Sequence, residues 1–217
     1  PYTGGGGAGI SKVSCYNNRL VFEGSCKNYA DFDYQVINGK AGFLMTEIIH
    51  QTGSIHNIYP NTLNTIRILT MYDTDDNEPF IASAVQRIGT KKSLVVDNFT
   101  AGGISANIDI DEGIIGKGAY KSSDKGRLIW YDSHPDTGIN IEGTRINNWD
   151  DIKRYILSLS RDYFYLPYIG WDVVPMEDSF FILEANSNSD VNLLQIHGGL
   201  LADPKVAAFY MRHKVIK

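Results

Sequence analysis

Residues 170–186, GWDVVPMEDSFFILEAN, decide how this chain is read. Two apolar runs, Trp171 to Met176 and Phe180 to Ala185, flank the polar Glu177-Asp178-Ser179, which is the pattern of a β-hairpin. With the turn centred on Asp178, Asp172 lies opposite Glu184 and Gly170 opposite Asn186. Side chains alternate along a strand, so Asn186 shares the face of Glu184. Two carboxylates opposed in this way destabilise a hairpin unless something positive sits between them. A hard cation is the simplest solution: Asp, Glu and Asn oxygens suit Mg²⁺, which keeps several waters and binds one or two carboxylates together with phosphates. Gly170 leaves room for it. The competing reading is an ordinary acidic strand face, and a register slip of one residue would separate the pair.

Composition narrows the classes available. The chain has 217 residues, 43% of them hydrophobic and 21% charged, enough for one large core or two small ones. A net charge of −5 gives no electrostatic footprint for nucleic acid or an anionic membrane. The longest apolar runs are too short for a membrane span and no secretory signal is visible, although the chain starts at Pro1 and is read as a processed or partial sequence. Cys15 and Cys26, the only two cysteines, are too few for a disulfide framework, and a reducing cytoplasm is the expected location.

Outward from the hairpin, the pattern is α+β with antiparallel strands dominating. SKVSCY and RLVFEG form a hairpin turning at Asn17-Asn18, behind the glycine-rich Gly4 to Gly9. GFLMTEIIHQ, NTIRILTMYD, PFIASAVQRIG and SLVVDN read as strands, and SANIDID with GIIGKGAYKS as a hairpin around Asp111-Glu112-Gly113. Trp149 to Phe164 is the clearest helix, with Asn148 as cap and Ile152, Tyr155, Ile156 and Leu159 as its apolar stripe. Asp203 caps a second helix running to His213, with Pro204 at its first position.

Three further features bear on chemistry. Gly5, Gly6, Gly7 and Gly9 let backbone amides turn toward a polyanion, but no Lys-Ser/Thr or helix follows, so the loop is not a P-loop; between strands it suits a phosphate lid, or equally a flexible linker. Arg67 sits between Ile66 and Ile68 and must reach solvent, pair with a carboxylate or bind an anion; Arg87 at the end of IASAVQRIG poses the same choice. His134 in DSHPDTG and His197 in QIHGG sit in turn-like settings where a metal or catalytic role is conceivable, but the five histidines show no zinc spacing such as HExxH, and His134 reads as a loop residue shaped by Pro135 and Gly138. No G-x-S-x-G is present for a serine nucleophile.

NTIRILT, DNFTAGGISANID, HPDTG, NWDDI and IGWDVVPMEDSFFILEAN, in that order, resemble the sugar-transfer-associated ATP-grasp family, often described as related to α-L-glutamate ligases. The resemblance covers nearly the whole chain. It implies an ATP-grasp fold of antiparallel sheets with flanking helices, residues 1–50 forming a partial glycine-loop subdomain and residues 51–217 the C-terminal subdomain with the metal and phosphate site. Asp172, Glu184 and Asn186 would hold Mg²⁺ against ATP phosphates, and Gly5, Gly6, Gly7 and Gly9 would cover them. Thr46, Glu47, Ile48 and Ile49 would form the adenine hinge. Arg67 and Arg87 would face the transferred phosphate or acyl-phosphate, and Asn98, Gly102 and Gly103 would line the acceptor side. The Lys that such enzymes carry ahead of the glycine-loop Pro would fall before Pro1, and the N-terminal part of the domain is missing from this sequence. The activity implied is ATP-dependent ligation of a carboxylate to an amine, with a sugar acid and an amino acid or amine as substrates in surface-polysaccharide assembly. An ATP-grasp kinase and a non-catalytic nucleotide-binding module are the alternatives.

Overall fold

A computed structural model describes residues 11–17, 19–24, 28–30, 46–73, 76–122 and 126–216. The chain divides into two compact units, Pro1–Ile49 and His50–Lys217. In the first unit, β1 (Ser11–Tyr16) and β2 (Arg19–Gly24) form the expected antiparallel hairpin, from Ser11 opposite Gly24 to Tyr16 opposite Arg19. Its turn needs the left-handed backbone of Asn17 (φ 48°), a conformation Asn tolerates better than most residues. Gly5, Gly6, Gly7 and Gly9 lie outside the described residues. Thr46, Glu47, Ile48 and Ile49 have no regular secondary structure, so the strand expected through MTEII is not present there.

The second unit is built on one seven-stranded sheet in the order β7-β6-β5-β4-β3-β8-β9, with every pairing antiparallel. Its strands are β3 (Ile66–Asp73), β4 (Glu78–Ile88), β5 (Ile104–Ile108), β6 (Ile115–Lys121), β7 (Leu128–Tyr131), β8 (Tyr168–Pro175) and β9 (Phe180–Asn186). The short helix α1 (Ser54–Ile58) and the long α2 (Trp149–Asp162) cover one face, while α3 (Asn192–Gln195) and α4 (Pro204–Arg212) cover part of the other. Among the described residues no helix is long and apolar enough to cross a membrane.

Strand alternation sorts the core. Ile66, Ile68, Ala84, Ile104, Trp171 and Val173 pack with Ile55, Ile58, Trp149, Ile152 and Ile156 on the α1–α2 side. Leu69, Met71 and Val85 pack with Leu194, Val206 and Phe209 on the α3–α4 side. Each fully buried aliphatic side chain contributes about 1.5–3 kcal/mol through area removed from water. The second face is covered only in part, which leaves Arg67, Arg87 and Ser105 aligned on it beside the helices.

Three local expectations are corrected. SLVVDN is not a strand: residues 91–95 turn, Leu94 takes φ 60°, and Leu94 and Val95 are exposed. The hydroxyls of Thr90 and Ser93 each accept the other's backbone N–H, closing a tight turn where a β-rich reading sees only Leu-Val-Val. Asn148 does not cap α2 with its side chain; it takes φ 56° and its Nδ2 donates to the Glu177 carbonyl, 2.9 Å away. Tyr155, placed in the apolar stripe of that helix, is half exposed and meets Phe180 edge-on, and the helix ends at Asp162. By contrast, Asp203 caps α4 through Lys205 N and Val206 N, with Pro204 at the first turn.

Candidate active site on the open face of the sheet

The hairpin of β8 and β9 brings together the residues read from its sequence. Asp172 pairs with Glu184 and Gly170 with Asn186. Nearer the tip the register differs: Val173 faces Ile182, Val174 faces Phe181 and Pro175 faces Phe180, and Leu183 is the extra residue of a β-bulge. The bulge absorbs the one-residue slip that would have separated the two carboxylates.

On its other edge β8 pairs with β3, where Arg67 lies directly across from Asp172. Arg67, Asp172 and Glu184 therefore form a row across three strands. Arg67 holds Asp172 with both arms of its guanidinium: Nε meets Oδ1 and Nη2 donates to Oδ2 at 3.0 Å. Its remaining Nη1 donates to Ser189 Oγ at 3.0 Å. Ser189 can approach only because residue 170 is glycine, since a Cβ there would collide with the Ser189 hydroxyl. Burial pulls the Arg67 guanidinium toward losing its proton, but its hydrogen bonds to Asp172 and the charges of Asp172, Glu184 and Asp97 hold its pKa above the usual value.

Arg87 reaches the same carboxylate from β4. Its Nη1 donates to Asp172 Oδ2 at 3.0 Å and its Nη2 to Asp97 Oδ1 at 2.6 Å. Asp97 Oδ2 accepts from Thr65 N at 2.8 Å and Thr65 Oγ1 at 2.5 Å. Burial raises the Asp97 pKa, and the opposing pull of Arg87 and the two Thr65 bonds does not cancel it. The four groups form a chain, Arg67–Asp172–Arg87–Asp97, with no net charge and almost no exposure. Asp172, Asp97 and Arg87 are 5%, 5% and 9% exposed. Among the described residues Arg87 Nε has no hydrogen-bond partner although it is buried. What offsets the Asp172 charge is thus a pair of guanidinium groups.

Glu184 and Asn186 differ from Asp172 in exposure and freedom. Glu184 is exposed, and among the described residues no Lys or Arg is within ion-pair distance of it. Asn186 Nδ2 donates to Glu184 Oε1 at 3.1 Å, which leaves Asn186 Oδ1 and Glu184 Oε2 for another partner. Among the described residues no group of three or more His, Cys, Asp or Glu is arranged to hold a metal. Two carboxylates and an amide oxygen nonetheless fit a hard divalent cation that takes its other ligands from water and phosphate. Asp172 is the weaker member, because both its oxygens already accept from guanidinium N–H groups.

The remaining residues read from sequence have packing roles. Asn98 is half buried and opens the 3₁₀ turn Phe99–Ala101; its carbonyl accepts from Ala101 N and Gly103 N. Gly102 takes φ 104°, and Gly103 packs so tightly on the Asp97 carbonyl that a Cβ would not fit. These three shape the loop that presents Asp97. His134 is buried, stacked on Tyr59 at 4.9 Å with Nε2 2.8 Å from the Gly89 carbonyl.

Asp97 and Ser189 are absent from the sequence reading, which singles out His197 only as a histidine in a turn. Asp97 was hidden inside a presumed strand. Ser189 becomes visible only when the turn after β9 folds back over Gly170. The turn expected for His197 from QIHGG is present, but its contacts with Ser105 and Trp130 come from distant strands and have no local signal.

Comparison with curated proteins and with solved structures returned no match. The mixed, mainly antiparallel architecture is that of an ATP-grasp domain, and the family model for sugar-transfer associated ATP-grasp proteins matches residues 1–208. The chain therefore belongs to the sugar-transfer associated ATP-grasp family and is an ATP-dependent enzyme of the ATP-grasp type.

Proposed function

We propose that the protein is a carboxylate–amine ligase that uses ATP and Mg²⁺, joining an amino acid or amine to a sugar acid for surface-polysaccharide assembly. The observation that carries this reading is the row Arg67–Asp172–Glu184 with Arg87 behind it: two guanidinium groups locked in place beside an exposed carboxylate–amide pair.

A carboxylate is a poor electrophile. In the proposed reaction its oxygen attacks the γ-phosphorus of ATP, the bond to the β-phosphate oxygen breaks, and acyl-phosphate and ADP result. The amine nitrogen then adds to the acyl carbon, loses its proton, and phosphate leaves from the tetrahedral intermediate. Arg67 and Arg87 hold positive charge where the phosphoryl and acyl oxygens gain negative charge, and because both are already fixed by Asp172, Asp97 and Ser189 they need little reorganisation during the reaction. Glu184 and Asn186, assisted by Asp172, would hold Mg²⁺, which when bound neutralises phosphate charge. The glycine-rich segment with Gly5, Gly6, Gly7 and Gly9 would cover the phosphates, and Thr46 to Ile49 would read the adenine. Asn98, Gly102 and Gly103 contribute on the acceptor side by holding the Asp97 loop. The setting that best suits these substrates is the cytoplasm.

The test is product analysis with ATP, Mg²⁺ and pools of sugar acids and amino acids. ADP and inorganic phosphate appearing only when both an acid and an amine are present is the expected result. Glu184→Gln should lower that turnover on the order of 10²–10³-fold with unfolding unchanged, because the side chain is exposed. A phosphorylated acceptor without free phosphate would make the protein a kinase, and ATP binding without turnover would make it a non-catalytic module.

A further inference from the structure

The sheet face that carries Arg87 continues across β5 and β6, where Ser105 and Ala119 are buried, to the exposed Trp130 of β7. Ser105 on β5 is the direct cross-strand partner of Arg87, Ala119 on β6 is the partner of Ser105, and Trp130 on β7 is the partner of Ala119. The imidazole of His197 lies over this row, with Nε2 2.9 Å from the Ser105 hydroxyl and its ring edge-on to the Trp130 indole at 5.5 Å. Trp130 is 46% exposed, whereas Trp149 and Trp171 are buried. One residue pair further along the same face, Lys117 Nζ meets Asp132 Oδ1 at 2.8 Å, both half exposed, and Glu142 stands beyond them at 4.0 Å. Among the described residues no atom lies within 4 Å of a Cβ added at Gly198 or Gly199, the two residues after His197.

We propose that Trp130, His197 and the Lys117–Asp132 pair form a subsite for a sugar ring, separate from the phosphate-handling arginines and serving an acceptor that extends beyond its reacting carboxylate. The chemistry selects this ligand class. An indole face accepts the C–H side of an amphipathic ring. A lysine and an aspartate side by side offer donor and acceptor together, which suits hydroxyl groups, whereas an anion would meet Asp132 and Glu142 and a cation would meet Lys117. His197 is neutral, its pKa lowered to about 4 by burial despite its bond with Ser105, so it adds hydrogen-bonding capacity without charge. Three strand spacings, roughly 14 Å, separate the Arg87 and Trp130 backbones, which is why the ring on Trp130 belongs to a remote part of the acceptor.

The role as an acceptor subsite rests on the ligase reading; the binding itself does not, and the experiment measures binding without ATP. Protein labelled with 5-fluorotryptophan gives three ¹⁹F resonances, of which Trp130 alone is exposed. A uronic-acid-containing disaccharide should shift the Trp130 resonance saturably, and about tenfold more tightly than the free uronic acid. Trp130→Ala and His197→Ala, followed through the disaccharide's own saturation-transfer signal, should each weaken binding about tenfold, Trp130→Tyr should retain most of it, and none should change ATP binding. No saccharide-dependent shift in folded wild-type protein, equal binding by Trp130→Ala, or a shift caused by a short acidic peptide and not by saccharides would overturn the proposal. Saccharide binding in a protein that joins no acid to an amine would leave the subsite standing and remove the ligase.

Discussion

Replacing Asp97 with Asn tests whether the buried charge chain behaves as a unit. In the native protein two guanidinium groups face two carboxylates, with Asp97 and Asp172 each 5% exposed. Removing the Asp97 charge leaves Arg67 and Arg87 sharing Asp172, one uncompensated positive charge in a site that water barely reaches. Breaking a buried pair this way costs about 3–5 kcal/mol. Arg87→Met should cost a similar amount at neutral pH, because Asp97 then keeps its charge with only Thr65 for support. The double variant restores neutrality through Arg67–Asp172 and should be more stable than the sum of the single effects by about 2 kcal/mol. Burial already raises the Asp97 pKa, and loss of Arg87 raises it further. A group whose folded pKa lies above its unfolded value contributes stability that is present at low pH and lost as pH rises through the folded value, so the deficit of Arg87→Met should shrink as pH falls. Urea unfolding of the four proteins at pH 7 and pH 5 measures every term. Additivity within about 0.5 kcal/mol at pH 7 would refute the coupling, and a deficit in Arg87→Met that grows in acid would refute the placement of the charge on Asp97.

His197 makes a second prediction. Its folded pKa of about 4 lies below the 6.5 of the unfolded chain, so it costs nothing above that value; as pH falls from about 6.5 toward 4 the unfolded chain takes up the proton first and stability drops, by about 2 kcal/mol at pH 5. His134, also lowered by burial, acts in the same direction, so His197→Asn should remove only its own part of the slope, and an unchanged slope between pH 7 and pH 5 would count against a half-buried neutral His197. Gly170→Ala should destabilise by about 1–3 kcal/mol by driving Ser189 off Arg67, and adding Ser189→Gly should recover most of the loss; a Gly170→Ala protein of native stability and activity would show that Ser189 does not position Arg67.

The strands were legible where residue type and periodicity agreed, as in IRILTMYD and FFILEAN, and the capped α4 was legible because Asp203-Pro204 is a local signal. The placement of Asp172 against Glu184 was read with the turn centred on Asp178, whereas the hairpin turns between Glu177 and Asp178 and the bulge at Leu183 restores that pairing. What sequence could not show was the third strand: only the fold places Arg67 across from Asp172 and brings Arg87 and Asp97 to the same carboxylate. Local bonds also override propensity. Thr90 and Ser93 bend a Leu-Val-Val run that intrinsic preference assigns to a strand, and Asn148 gives up a helix cap to hold Glu177.

The bulge at Leu183 has a consequence for variation in this protein. It decouples the length of the hairpin tip from the pairing at its base, so one residue gained or lost among Met176 to Ser179 can be taken up by moving or erasing the bulge while Glu184 and Asn186 keep their partners on β8. The hairpin acts as a mechanical slip joint: its outer end is free to be remodelled, and its inner end is fixed by Arg67 and Arg87.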